Sequence, residues 1–376
     1  MGISRYFAGG NTADRFVSFF PYILPATKCN HMYYIKGGPG VGKSSMMRQI
    51  GELMELKGYT VEYFDCSGDP DSIDGITIST TDRNGQNVKI GFIDATAPHS
   101  YDPVVPGARD TLISLGDYLD EVALEPYQNE IQGLVNKCSA IYRQCYAYLN
   151  AAGSVLRTCQ QYEWNDRAVR AFANELLLKY VVQERESQEN MSENTLSTTD
   201  KMAAPRHLFA EAYTHKGFIS HLESLPCVET IAFDVPIGQS ADKLLSALLD
   251  EMLMRGIEVI ALHEPLRPAL LAHLYLPKQE ILFTSSPAYR DKISLKDLCQ
   301  PNANVKGSIC DAETFDAEAF NAELYEQLIE QAIQQLRHAK AAHDELETYY
   351  VKNMDFENWQ KKLDDILQEI YNQIGR

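Results

Sequence analysis

The stretch Gly37-Gly38-Pro39-Gly40-Val41-Gly42-Lys43-Ser44 decides the reading of this chain. It is a G-x-x-x-x-G-K-S string, and its flanks supply the structural context that such a string needs. Before it, His31-Met32-Tyr33-Tyr34-Ile35 is a short continuous apolar run, the pattern of a strand buried on both faces. After it, the segment from Ser45 to Met54 carries apolar residues at 46, 47, 50, 53 and 54, the period of an amphipathic helix. Strand, glycine turn and helix together make a phosphate cradle. The glycines let consecutive N–H groups converge on anionic oxygens, and the helix N-terminus adds partial positive charge. Gly38, Pro39, Gly40, Val41, Gly42, Lys43, Ser44 and Ser45 are the expected binding residues. Lys43 is expected to reach the β- and γ-phosphates of a nucleoside triphosphate, and Ser44 to ligate Mg2+.

Magnesium at such a loop needs a second protein oxygen, usually an Asp at the end of a neighbouring buried strand. Lys89-Ile90-Gly91-Phe92-Ile93-Asp94 fits, so Asp94 is the expected metal-side carboxylate and, with Lys43, a catalytic residue. Ala95 follows it, where vigorous ATP-hydrolysing motors place a glutamate base. Other residues are candidates for that role. Asp65-Cys66-Ser67-Gly68-Asp69-Pro70-Asp71-Ser72-Ile73-Asp74 follows the strand Val61-Glu62-Tyr63-Phe64, and strand C-termini of open α/β sheets face the ligand crevice. One of its carboxylates could orient a water or an acceptor hydroxyl. Thr96 and His99 are candidates for contact with the γ-phosphate, and Arg109 for a charge-stabilising finger.

The whole chain sets the class. Its 376 residues suffice for two domains, and 45% hydrophobic with 23% charged residues describes a globular protein. A formal net charge of −18 argues against a broad nucleic-acid surface. Eight cysteines, at 29, 66, 138, 145, 159, 227, 299 and 310, include no C-x-x-C pair, so neither a zinc site nor a disulfide framework is expected. No leader and no membrane-length apolar run is read, which points to a soluble cytoplasmic protein with reduced thiols.

The chain also contains itself twice. Arg5-Tyr6-Phe7-Ala8-Gly9-Gly10-Asn11-Thr12 recurs as His207-Leu208-Phe209-Ala210-Glu211-Ala212-Tyr213-Thr214. Gly58 and Gly256 are 198 positions apart, as are Pro70 and Pro268, a period that means duplication of an α/β unit rather than a solenoid. At that offset Ala241 replaces Lys43 and Asp242 replaces Ser44, with Lys243 one position late; Thr284 is read at the place of Asp94. The second copy is therefore expected to have lost its phosphate chemistry. The resulting division is an active domain at 1–110, a helical insertion or lid at 111–184 with a packed cysteine stripe, a polar linker at 185–205, a degenerate domain at 206–315, and a helical hairpin at 316–376. The fold class expected is α/β: a duplicated P-loop NTPase fold, mostly parallel sheet flanked by helices, with helical hairpin extensions.

Taken together, Phe7-Ala8-Gly9-Gly10-Asn11-Thr12, the loop at 37–44, Asp69-Pro70-Asp71-Ser72-Ile73-Asp74, Asp94-Ala95-Thr96-Ala97-Pro98-His99, Pro106-Gly107-Ala108 and Leu115-Gly116-Asp117-Tyr118 resemble the bacterial tandem-repeat P-loop ATPases of unassigned role. The resemblance spans essentially the whole chain and implies nucleotide binding with ATPase activity. Members can keep a recognisable loop in the second half; here it is erased. The leading expectation is a Mg2+-dependent ATPase with ATP as ligand and one working site. The alternatives are a small-molecule or nucleotide kinase, which the missing glutamate after Asp94 favours, and a nucleotide-gated binding protein meeting a partner or a second copy through its helical hairpins. Absence of a guanine-reading N-K-x-D string leans towards ATP over GTP, and Arg5 with residues 7–12 is a candidate flank for the base.

Overall fold

The computed structural model describes residues 3–97, 100–158, 162–182, 204–235, 239–301 and 317–375. The expected linker falls almost wholly outside these residues, as do His99, Cys159 and Cys310. The strands of the two main sheets are numbered β1–β12. The principal helices are α1 (Lys43–Leu56), α2 (Gln128–Thr158), α3 (Asp166–Leu177), α4 (Asp242–Met254), α5 (Ala317–Val351) and α6 (Phe356–Ile374). No helix among the described residues is long and apolar enough to cross a membrane.

Two compact units emerge. The first comprises Met1–Tyr148, Phe209–Leu225 and Glu330–Arg376. Its sheet contains β1 (Ser4–Phe7), β2 (His31–Lys36), β3 (Thr60–Asp65), β4 (Ile73–Thr81), β5 (Asn87–Asp94) and β6 (Asp110–Ser114), in the spatial order β1-β3-β4-β5-β2-β6. β4 runs antiparallel to both neighbours, while the remaining pairings are parallel. The sheet is thus mixed, where a mostly parallel one was expected. β2 lies inside the sheet between β5 and the edge strand β6, and its four middle residues are buried, as its unbroken apolar run requires.

One face of this sheet is covered by α1 and α6. Met46, Met47, Ile50 and Met54 of α1 share a core with Tyr33, Ile35, Ile76, Ile90 and Phe92, and with Trp359, Leu363, Ile366, Ile370 and Ile374 of α6. The α6 residues recur at helical spacing and form its single apolar stripe. Asp355 caps this helix, accepting from the N–H groups of Glu357 and Asn358. α1 ends where Gly58 adopts φ +82° and its N–H bonds to Glu55, a left-handed stop that favours glycine. Gly256, its repeat counterpart, ends α4 in the same way.

The second unit comprises Leu149–Leu208 and Pro226–Ile329. β7 (Arg206–Leu208), β8 (Glu229–Asp234), β9 (Ile260–His263), β10 (Leu271–Leu276), β11 (Ile281–Thr284) and β12 (Lys292–Ser294) follow the order β7-β9-β10-β11-β8-β12. Strand order and pairing directions repeat those of the first sheet. Here α4 and α3 build the apolar layer through Leu244, Leu245, Leu248, Val169, Ala173 and Leu177.

Neither unit is a contiguous stretch. The helix beside α1 comes from beyond the second repeat, and the helix beside α4 comes from between the repeats. The segment read as one helical lid, 111–184, is divided accordingly, and its first residues complete the strand β6.

Candidate functional site

The glycine loop leaves the C-terminal end of β2 and enters α1 at Lys43. Gly42, at φ +85°, turns the chain into the helix. Lys43 Nζ donates to the carbonyls of Gly37 (2.8 Å) and Gly38 (2.9 Å) and lies 3.7 Å from Asp94 Oδ2. Asp94 arrives at the end of β5, whose parallel pairing with β2 sets it opposite Ile35. The Thr96 N–H donates to Asp94 Oδ1 at 2.8 Å, and the Thr96 hydroxyl bonds both the carbonyl and the N–H of Gly37. Ser44 Oγ accepts the Ile73 N–H at 2.8 Å, which ties the loop to the start of β4. Lys43, Ser44, Asp94 and Thr96 therefore share one end of the sheet.

Charge at this end is finely balanced. Burial raises the Asp94 pKa above the usual carboxylate range, while Lys43 and the Thr96 N–H oppose the shift. Asp74, the second residue of β4, is 5% exposed, and burial followed by the Asp94 charge holds its carboxyl well above that range. Its near neighbour Cys66 is pushed up by burial, and by Asp74 after that. Two adjoining buried carboxyls resist ionising together, which is the arrangement that separates acid from base roles.

Of the other acidic-loop residues, Asp65 is engaged by Arg5 at 2.7 Å and lies 3.0 Å from His221 Nε2. Asp71 is held by Lys216 at 2.5 Å, and Asp69 lies 3.4 Å from Lys340. Two sequence candidates are misplaced. Arg109 sits at the start of β6, where Asp110 pairs with Met32, and is bound to Asp110 at 2.7 Å. That is the opposite end of β2 from the loop, about 15 Å away, so Arg109 is no charge-stabilising finger. Arg5 lies on β1, separated from β2 by β3, β4 and β5, so it does not flank a base bound at the loop.

The residues that sequence reasoning missed come from the C-terminal helices. A Cβ built on Gly38 would lie 3.1 Å from the Tyr350 ring, one on Gly40 2.8 Å from Val351, and one on Gly42 2.9 Å from Trp359 Nε1. The end of α5 and the start of α6 rest directly on the loop. On the opposite flank, Leu115 and Gly116 approach within 3.4 Å of the corresponding position on Gly37.

No protein-family model, curated protein or solved structure matches the chain. The chemistry of the site is thus read from its own residues and from their counterparts in the second unit.

Those counterparts are informative. Asp242 Oδ1 accepts the Leu271 N–H at 2.8 Å, the bond that Ser44 makes to Ile73 at the 198-residue offset. Asp242 therefore occupies the place of Ser44. Lys243 turns to Asp166 at 2.7 Å. Arg267 pairs with the half-buried Glu264 at 2.7 Å and donates to the Gln239 carbonyl. Sheet register places Ser285, not Thr284, at the position of Asp94: Glu229 pairs with Ile281 as His31 pairs with Ile90. Thr284 instead bonds His273 at 2.7 Å. Residues 236–238 of the corresponding loop lie outside the described residues.

Proposed function

We propose that the first unit is a P-loop NTPase domain that binds ATP with Mg2+ and hydrolyses it, and that the second unit is its duplicated, chemically erased copy. The observation that carries this reading is the convergence of Lys43, Ser44, Asp94 and Thr96 on the glycine loop between β2 and α1. Released from the Gly37 and Gly38 carbonyls, the Lys43 ammonium has reach to neutralise terminal phosphate oxygens. A hydroxyl and a carboxylate are the hard oxygen donors that magnesium accepts. Ser44 Oγ keeps its own proton and a lone pair after accepting from Ile73, and Asp94 keeps Oδ2 beside Lys43, so both fit the ion. Bound there, magnesium would supply charge compensation on the phosphates.

Phosphoryl transfer to an acceptor other than water is the second reading, favoured by Ala95 after Asp94 and by the buried Asp74, whose carboxyl feels the Asp94 charge. Asp74 is the candidate proton acceptor, its carboxyl held well above the usual carboxylate range by burial and then by the Asp94 charge.

The test is magnesium-dependent ADP formation by the full chain beside Lys43→Ala, with and without a pooled set of small-molecule acceptors. Turnover without acceptors that falls about a hundredfold or more in Lys43→Ala supports hydrolysis. Turnover only with acceptors supports the kinase reading. ATP binding without turnover in either condition refutes both and leaves a nucleotide-gated binding protein.

A further inference from the structure

The backbone pairing of β5 with β2 ends at Asp94, opposite Ile35, and the Ala95 N–H extends it by one bond to the Ile35 carbonyl at 2.8 Å. The next link is made by a side chain. The Thr96 hydroxyl accepts the Gly37 N–H at 3.2 Å and donates to the Gly37 carbonyl at 3.1 Å, using both its donor and its acceptor capacity. The Thr96 backbone N–H meanwhile holds Asp94 Oδ1 at 2.8 Å. One residue thus grips the strand-end carboxylate with its backbone and the first residue of the glycine loop with its side chain. The two grips meet at Lys43, whose Nζ shares the Gly37 carbonyl with Thr96 and lies 3.7 Å from Asp94 Oδ2. Gly37 itself precedes residues 38–45, the ones expected to contact phosphate.

The second unit is an internal control. The register that puts Ser285 at the place of Asp94 puts Pro287 at that of Thr96, and the 198-residue offset puts Val235 at that of Gly37. Proline has no N–H and no hydroxyl, so neither Thr96 bond can form there. Strand order and pairing directions of the two sheets are nevertheless the same. The architecture does not need the clamp, which is lost together with the counterparts of Lys43, Ser44 and Asp94.

We infer that Thr96 is a positioning residue for the metal: it fixes Asp94 against the glycine loop so that Oδ2, beside Lys43, is the oxygen presented to a magnesium ion shared with Ser44. The inference rests on the magnesium–triphosphate reading of the loop. It makes the hydroxyl act on metal binding and not on the phosphates. Groups that orient a metal ligand without touching the ion contribute about ten- to a hundredfold to its affinity.

The experiment is calorimetry on the full chain with the β,γ-methylene analogue of ATP, in excess magnesium and in EDTA. Magnesium should tighten binding to the unmodified protein. Thr96→Val keeps the shape and the N–H but loses the hydroxyl. Its magnesium-dependent gain should fall about tenfold, while affinity in EDTA changes by less than about twofold. Thr96→Ser keeps the hydroxyl and should recover the gain. A Thr96 that only braced the fold would weaken binding alike in both conditions, along with the unfolding temperature, and that pattern overturns the inference. So does a full magnesium gain in Thr96→Val, or a Thr96→Ser that behaves as Thr96→Val. No magnesium gain in the unmodified protein refutes the metal assignment of Ser44 and Asp94. Absence of binding, or binding that Lys43→Ala leaves unchanged, removes the triphosphate reading and the inference with it.

Discussion

Gly42 and Trp359 offer a direct physical test of the contact between the glycine loop and α6. An L side chain at φ +85° costs about 1–2 kcal/mol of backbone strain. The Cβ of Gly42→Ala would also stand 2.9 Å from Trp359 Nε1, inside the 3.4 Å at which ordinary contact begins. Overpacking of that kind costs about 1–3 kcal/mol, giving a total near 2–5 kcal/mol. Trp359→Phe removes the nitrogen from that spot and leaves a smaller ring in the core, for about 1–2 kcal/mol. If the two residues touch as described, the double variant escapes the steric part. It should be more stable than the sum of the single effects predicts by about 1–3 kcal/mol. Urea unfolding followed by far-UV circular dichroism measures all four proteins. Additivity within about 0.5 kcal/mol would refute the contact, and with it the claim that α6 forms part of the loop's wall.

Asp74→Asn is expected to lower turnover and abolish its acidic pH limb while leaving ATP affinity nearly unchanged; a pH–rate profile beside the unmodified protein checks this. In the second unit, His263 Nε2 lies 2.8 Å from His207 Nδ1, and burial, with His207 after it, holds the His263 pKa down to about 4. Its folded pKa lies below the unfolded value of about 6.5, so between the two values the unfolded chain binds more protons. Stability should fall as pH drops from about 6.5 towards 4, by at most about 3 kcal/mol, and be flat above 6.5 as far as this group is concerned. His263→Gln should flatten that fall in thermal unfolding measured across the range. Equilibrium dialysis should find one ATP per chain, and still one in Ala241→Lys, because Asp242 keeps a carboxylate in the place of Ser44; two would contradict the erasure of that site.

What the sequence displays depends on how far apart the interacting residues lie. The β2–loop–α1 unit is contiguous, so its apolar run, glycines and helical period stand side by side and place Lys43 and Ser44 correctly at one end of a strand. Asp94 is legible for a similar reason, as a polar residue ending an apolar strand. β4 is less so: Ile73-Asp74-Gly75-Ile76-Thr77-Ile78 opens on residues that look like a turn, and only pairing on both sides makes it a buried strand. β6, five residues before a largely helical stretch, is recruited by β2 and not by its own pattern. Arg109 looked near to Asp94 in the chain, but the return path of β6 carries it to the far end of the sheet. The one-residue difference between Thr284 and Ser285 reflects a property of strands, in which register is set by the partner. Contacts of Tyr350 and Trp359 with the loop leave no local trace at all, because more than 300 residues separate them from it.

That separation has a consequence for synthesis. Lys43 leaves the ribosome 316 residues before Trp359. At about 5–20 residues per second, roughly 15–60 s elapse between them. Through that interval the apolar side of α1 has no α6 to cover it, so the nascent chain presents Met46, Met47 and Ile50 to whatever chaperone or neighbour is at hand. Prematurely terminated chains would carry the complete glycine motif without the helix that lies over it. A glycine loop walled in this order is finished only once Trp359 has been made, long after the motif itself has emerged.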